Sequence, residues 1–134
     1  MKLPLSIVYE IVNALIEVKS LGLGIKVDYW CKRNIMLFAD DYNLYREFLQ
    51  DIYNRYCYKG EDSQYMSIDD EGKVIFNLKN ESNKQRFYKE LNDLMTMTCD
   101  EFKPYILSQE VFNNLPNVES SKFNIDLLAF LLPE

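Results

Sequence analysis

DYWCKRNIMLFADDYNLYREFLQDIYNRYCYK, residues 28–59, is the stretch on which the fold turns. Cys31, Ile35, Phe38, Tyr42, Tyr45, Leu49, Ile52 and Tyr56 recur in it at alternating steps of four and three. That spacing keeps one face of a helix apolar over more than three heptads, and no breaker interrupts it before Gly60. Asp28 is placed to cap the N-terminus. The expected element is a helix over about 28–58, a rod about 45 Å long at roughly 1.5 Å per residue. Leu37, Leu44 and Phe48 lie off the seam and widen the apolar surface, so more than one packing neighbour is expected.

Upstream, Leu5, Val8, Ile11, Val12, Leu15 and Ile16 recur at helical steps, giving a first helix over about Pro4 to Lys19. Pro4 suits a first turn, where its missing N–H has no partner to lose. Ser20-Leu21-Gly22-Leu23-Gly24 ends it, since glycine accepts the left-handed backbone that helix termini require. A link this short implies an antiparallel neighbour. The first helix is about half the length of the second, so the excess must pack on C-terminal segments, a second copy or a partner.

Downstream the period changes. Tyr65-Met66-Ser67-Ile68 and Lys73-Val74-Ile75-Phe76 flank Asp69-Asp70-Glu71-Gly72, which reads as a β-hairpin over about 65–76 with a four-residue turn. Two strands alone are marginal in water, so the hairpin should lie against the helices. Asn80 can cap a helix over about Glu81 to Met97 with Phe87, Leu91, Leu94 and Met95 on its apolar face. Ser108 starts a short helix through Val111, Phe112 and Leu115, stopped by Pro116. A last helix begins near Ser120 or Asn124 and carries Phe123, Leu127, Leu128, Phe130, Leu131 and Leu132. The fold class is mainly α with minor β, read as one domain over 1–134: a helical hairpin with a small β-hairpin and C-terminal helices packed on it.

Charge and composition narrow the function classes. Residues 1–60 carry eight Lys/Arg against seven Asp/Glu, and residues 61–134 carry seven against fourteen. An acidic C-terminal half argues against generic binding to phosphate backbones and is compatible with a basic partner or with solubility alone. No stretch approaches a membrane span, and the amphipathic start is not a signal peptide. Cys31, Cys57 and Cys99 are far apart and lack CxxC spacing, which reads as free buried thiols of a reducing cytoplasm.

The chain contains no histidine. Ser-His-Asp and Cys-His nucleophilic sites, and histidine-ligated metals, are thereby excluded within this sequence. Gly22-Leu23-Gly24 lacks the strand of a dinucleotide fingerprint. Phe38-Ala39-Asp40-Asp41 copies an aromatic-x-Asp-Asp polymerase motif, but it falls mid-helix with its aspartates on different sides, so coincidence is the reading. Asp69-Asp70-Glu71-Gly72 lacks EF-hand spacing and reads as an acidic turn. No catalytic, cofactor or metal residue is assigned.

Aromatic and basic residues gather on the long helix, among them Tyr29, Trp30, Lys32, Arg33, Tyr45, Arg46, Tyr53, Arg55 and Tyr56. Core packing accounts for the seam tyrosines. The remainder suits a protein interface, where Trp, Tyr and Arg supply most binding energy, or less readily a single-stranded nucleic acid or nucleotide. The contact residues expected are Trp30, Arg33, Arg46, Tyr53 and Arg55 on the helix, with Asp69, Asp70 and Glu71 on the acidic turn.

The order of elements resembles a family of small proteins of tailed phages and prophages of Gram-positive bacteria. The resemblance is carried by Met1-Lys2-Leu3, Asn13-Ala14-Leu15, Leu21-Gly22-Leu23, Asp69-Asp70-Glu71-Gly72-Lys73, Phe87-Tyr88-Lys89-Glu90-Leu91 within 80–94, and Ile125-Asp126-Leu127-Leu128. It is one of layout and covers nearly the whole chain. Where the family carries a basic cluster before its long helix, this chain has Ile25-Lys26-Val27-Asp28-Tyr29-Trp30, with Lys32-Arg33 later. The resemblance implies a non-enzymatic accessory protein in the cytoplasm of a bacterial host, without membrane or cofactor. By analogy with other small phage proteins, it would bind a protein and inhibit a host defence enzyme such as a restriction or CRISPR nuclease, as monomer or homodimer.

Overall fold

The computed structural model of the chain describes residues 2–115 and 124–134. Met1, Pro116, Ser120 and Phe123 lie outside the described residues.

Helix α1 (Leu5–Ser20) and helix α2 (Ile25–Tyr56) form an antiparallel hairpin. Tyr9 of α1 stacks on Tyr42 and leans on Tyr45, while the Tyr42 hydroxyl donates to Asn13 Oδ1 at 2.9 Å. The link turns through Gly22 and Gly24, both at positive φ (66° and 118°), where a side chain would be strained. Helix α2 has 32 residues, about 48 Å at 1.5 Å per residue, and α1 has 16.

Both ends of α2 differ from expectation. The helix starts at Ile25 with Gly24 as N-cap, and Asp28 lies inside it, its N–H bonded to the Gly24 carbonyl. Asp28 is therefore no cap, and its Oδ1 is buried without a hydrogen-bond partner. The glycine already provides the non-helical entry, which moves the start one turn upstream. At the other end Cys57 turns extended and pairs with Leu78, held by Tyr58 N–H to Asn77 O and Lys79 N–H to Tyr56 O. A tertiary pairing ends the helix before Gly60 is reached.

Strands β1 (Met66–Ile68) and β2 (Val74–Phe76) pair antiparallel with Met66 opposite Phe76 and Ile68 opposite Val74. The base of this hairpin rests on α2, where Tyr65 stacks on Tyr53 and Phe76 leans on Tyr53, and Phe76 also meets Phe87 of the following helix edge-on at 4.9 Å. Asn80 caps a single 3-10 turn, Glu81–Asn83, and helix α3 follows over Lys84–Thr96. Phe87, Leu91 and Leu94 of α3 are buried, whereas Met95 is exposed.

From Met97 the chain runs back along α2 without regular structure. The Met97 carbonyl accepts from Leu5 N–H, and Cys99 N–H donates to Leu3 O, tying this segment to the start of α1. Phe102 packs edge-on against Phe38. Ser108 caps the short helix α4 (Gln109–Asn113) by accepting from Val111 N–H. Asn124, through its accepted bond from Leu127 N–H, caps α5 (Ile125–Leu128), which continues as a 3-10 turn over Ala129–Leu131.

Asn34, a polar residue absent from the expected seam, is fully buried in α2. Its amide donates to the Trp30 and Tyr105 carbonyls at 3.0 and 2.9 Å and accepts from Tyr105 N–H at 3.1 Å. Both backbone groups of Tyr105 are thus satisfied by one side chain. Replacing Asn34 with Leu keeps the branched shape in a somewhat larger side chain and strands both groups in the core. The expected loss is about 2–4 kcal/mol, read as a lower urea midpoint with an unchanged slope. A midpoint equal to that of the unaltered chain would mean that Asn34 carries none of this stability.

Candidate functional site

An α-helix advances about 100° per residue, so Leu37, Leu44 and Phe48, at steps of seven and four, form one row on α2. The row sits on a flank next to the one that faces α1. At the start of the helix this flank is covered: Trp30 is fully buried, and its Nε1 donates to the Leu131 carbonyl at 3.0 Å. Farther along, the cover stops. Leu37, Leu44 and Phe48 expose 43%, 44% and 44% of their surface. Beside Phe48 the surface dips into a shallow recess between α2 and α3, which Ile52, Leu94 and Met97 continue as apolar lining.

Carboxylates border the row on both sides. Helical geometry places Asp40, Glu47 and Asp51 along one side. On the other side Asp41 belongs to α2, α3 brings Asp93 beside Phe48, and the returning chain brings Asp100 close to Asp41. Asp93 is paired with Lys89 at 3.2 Å across an exposed helical turn. Arg33 and Lys103 flank Leu37 at the N-terminal end of the row, and at the other end Arg55 lines the recess, paired there with Glu90.

The expected contact residues do not converge. Trp30 belongs to the core and has no surface to offer a partner in this conformation. Tyr53 is half-buried among Tyr65, Phe76 and Phe87 and packs the hairpin onto α2. Arg33 is exposed, bonded to the Tyr29 hydroxyl at 2.9 Å, with its guanidinium 4.7 Å from the centre of the Tyr105 ring. Arg46 lies over the Tyr42 ring, away from the row. Arg55 is paired with Glu90 at 3.0 Å. Arg33 and Arg55 are separated by about 33 Å of helix, too far to serve one small ligand.

In the acidic turn Asp69 is internal to the local architecture. Its Oδ1 accepts from Glu71 N–H and Lys73 N–H at 2.9 and 2.8 Å, and Gly72 takes φ 80° to let the chain return. Asp70 and Glu71 lie at the tip of the hairpin, with Ile68, Val74 and Ile75 exposed on the strands beside them. Among the described residues no group of three His, Cys, Asp or Glu side chains is placed to hold a metal ion. No described helix is long and apolar enough to cross a membrane.

Burial is the leading cause at each perturbed ionisable group among the described residues and shifts it toward its neutral form. The Cys31 thiol is pushed up to about 12, chiefly by burial and further by the charge of Asp28. Burial also raises Cys57, Tyr45 and Tyr53, with Tyr9 and Glu10 as lesser contributors at Tyr45, and Tyr45, Cys57 and Tyr9 at Tyr53. A thiol held protonated is a poor nucleophile. Asp41 is the one carboxyl raised among the described residues: partial burial acts first, then the charges of Asp100 and Asp40.

In the sequence, Leu37, Leu44 and Phe48 stand out only as extra packing surface. Their spacing is visible there, yet which flank the returning chain covers depends on contacts distant in sequence. Compared with known proteins, the chain matches no family model, no curated protein and no solved structure.

An acid whose pKa rises on folding binds its proton more tightly in the folded chain. The Asp41 contribution therefore destabilises as pH rises from the ordinary value of 3.8 through the raised one, and is fully adverse above it. Asp41→Asn should raise Tm at neutral pH by roughly 1–3 °C, and the gain should vanish below about pH 4. Calorimetry across that range checks both; an equal or lower Tm at neutral pH would contradict the crowding of these carboxylates.

Proposed function

We propose that this chain acts by binding another protein and not by catalysis. The observation that carries the reading is the apolar row Leu37-Leu44-Phe48, left exposed on the helix around which the rest of the fold packs. Contiguous apolar surface of this kind, rimmed by charge, marks interaction sites on soluble proteins. The ionisable groups inside the fold support the same reading, since Cys31 and Cys57 are shifted toward the unreactive thiol. In the setting that the layout resemblance implies, the chain is a phage or prophage accessory protein in the host cytoplasm. There it occupies a host defence enzyme such as a restriction or CRISPR nuclease.

A second reading rests on Arg33 between Tyr29 and Tyr105, with Lys26 and Tyr29 lining an adjoining recess. An aromatic-cation cluster can hold a nucleotide or single-stranded nucleic acid. The balance of charge around the rest of the row is unfavourable to phosphate.

Capture from a bacterial lysate with the tagged full-length chain, followed by absolute mass measurement, separates the two. The protein-binding reading expects one protein in fixed ratio, whose enzymatic activity falls when pure chain is added back. Recovery of nucleic acid alone, with affinity falling steeply as salt rises and on Arg33→Ala, would replace it with the second reading.

A further inference from the structure

The row is a site of defined chemistry. Resting on the protein-binding reading above, we infer that Leu37, Leu44 and Phe48 receive a basic amphipathic helix of the partner protein. Three observations lead there. The first is length and line: the row follows one α2 flank through three turns and opens at Phe48 into the recess above Leu94 and Met97, the shape that takes a helix laid along it.

The second is charge. Asp40, Glu47 and Asp51 on one side and Asp41 and Asp100 on the other leave a strip bordered by carboxylates, and no Lys or Arg of α2 intervenes between Arg33 and Arg46. Arg46 lies over the Tyr42 ring and faces elsewhere. A second copy docked on the row about a two-fold axis near its middle would bring two sets of Asp40, Asp41 and Asp100 together. A lysine-flanked helix instead meets each carboxylate with an opposite charge. The raised Asp41 carboxyl agrees with this, because an approaching cation relieves the crowding of Asp40 and Asp100.

The third observation fixes direction. Arg33 and Lys103 stand at the Leu37 end, while at the Phe48 end Asp51, Glu90 and Asp93 outnumber Arg55, which Glu90 already pairs. The negative C-terminus of an incoming helix dipole belongs beside the two cations, so the docked helix runs antiparallel to α2 with its C-terminus near Arg33.

The test uses the full chain and a fluorescent peptide of about four helical turns, with leucines at helical spacing on one face and lysines beside them. Anisotropy titration should give a Kd on the order of 10 µM or tighter. The same peptide with glutamate for every lysine should bind at least about tenfold more weakly. Leu44→Ser with Phe48→Ser should abolish binding while circular dichroism stays native, and Glu10→Ser with Glu17→Ser, exposed on α1, should leave it unchanged. Equal binding of both peptides, or equal loss with the Glu10/Glu17 variant, overturns the inference. So does a dimer of the pure chain that the Leu44/Phe48 variant converts to monomer, because a second copy then owns the row. If a lysate partner is still captured by that variant, the row is rejected while the protein-binding reading stands; if the unaltered chain captures none, the reading itself fails.

Discussion

The amide of Asn34 is the contact that lets irregular chain form one wall of this core. Buried backbone groups must be paired, and a segment without secondary structure cannot pair its own. Asn34 supplies donor and acceptor to Tyr105 as a neighbouring strand would. One helical turn away, the Leu131 carbonyl accepts from both Trp30 Nε1 and Leu107 N–H, which fastens the C-terminal turn to the same place. Through these bonds Trp30 and Phe38, the largest fully buried side chains of α2, are sealed from water although only part of the helix faces α1.

The exposed row follows from where that seal ends. α1 is half the length of α2 and lies along one face; the β-hairpin and α3 close over the far end around Tyr53 and Phe87. The returning segment covers the adjoining flank at Trp30 and Asn34 and then leaves it bare at Leu37, Leu44 and Phe48. Apolar side chains left at a boundary between covered and uncovered helix resemble a core awaiting its last element. The carboxylates along both sides narrow what that element can be, because an acidic companion would meet repulsion on either side.

Several local features are legible in the amino-acid chain itself. Leu5 to Ser20 and the long helix announce themselves by apolar period, and the caps at Asn80, Ser108 and Asn124 by side chains that accept from N–H groups two or three residues ahead. These are effects of near neighbours, so sequence carries them. Asp28 misleads because it is a capping residue type just ahead of the seam, while Gly24 upstream already serves as the entry. Asn34 escapes a reading by polarity, which argues for the surface, and its partner Tyr105 lies 71 positions away.

The helix-rich class, the order of elements, the reversal at Gly22 and Gly24 and the turn at Asp69 to Gly72 are all dictated locally. Each depends on periodicity or on backbone conformations that a few consecutive residues impose. Only the folded chain decides that Trp30 is core, that Tyr53 serves the hairpin, that Cys57 ends the helix, and that Leu37, Leu44 and Phe48 stay uncovered. The reason is physical: a helix presents every direction around its axis equally, and the path of distant chain selects which flank is withdrawn from water.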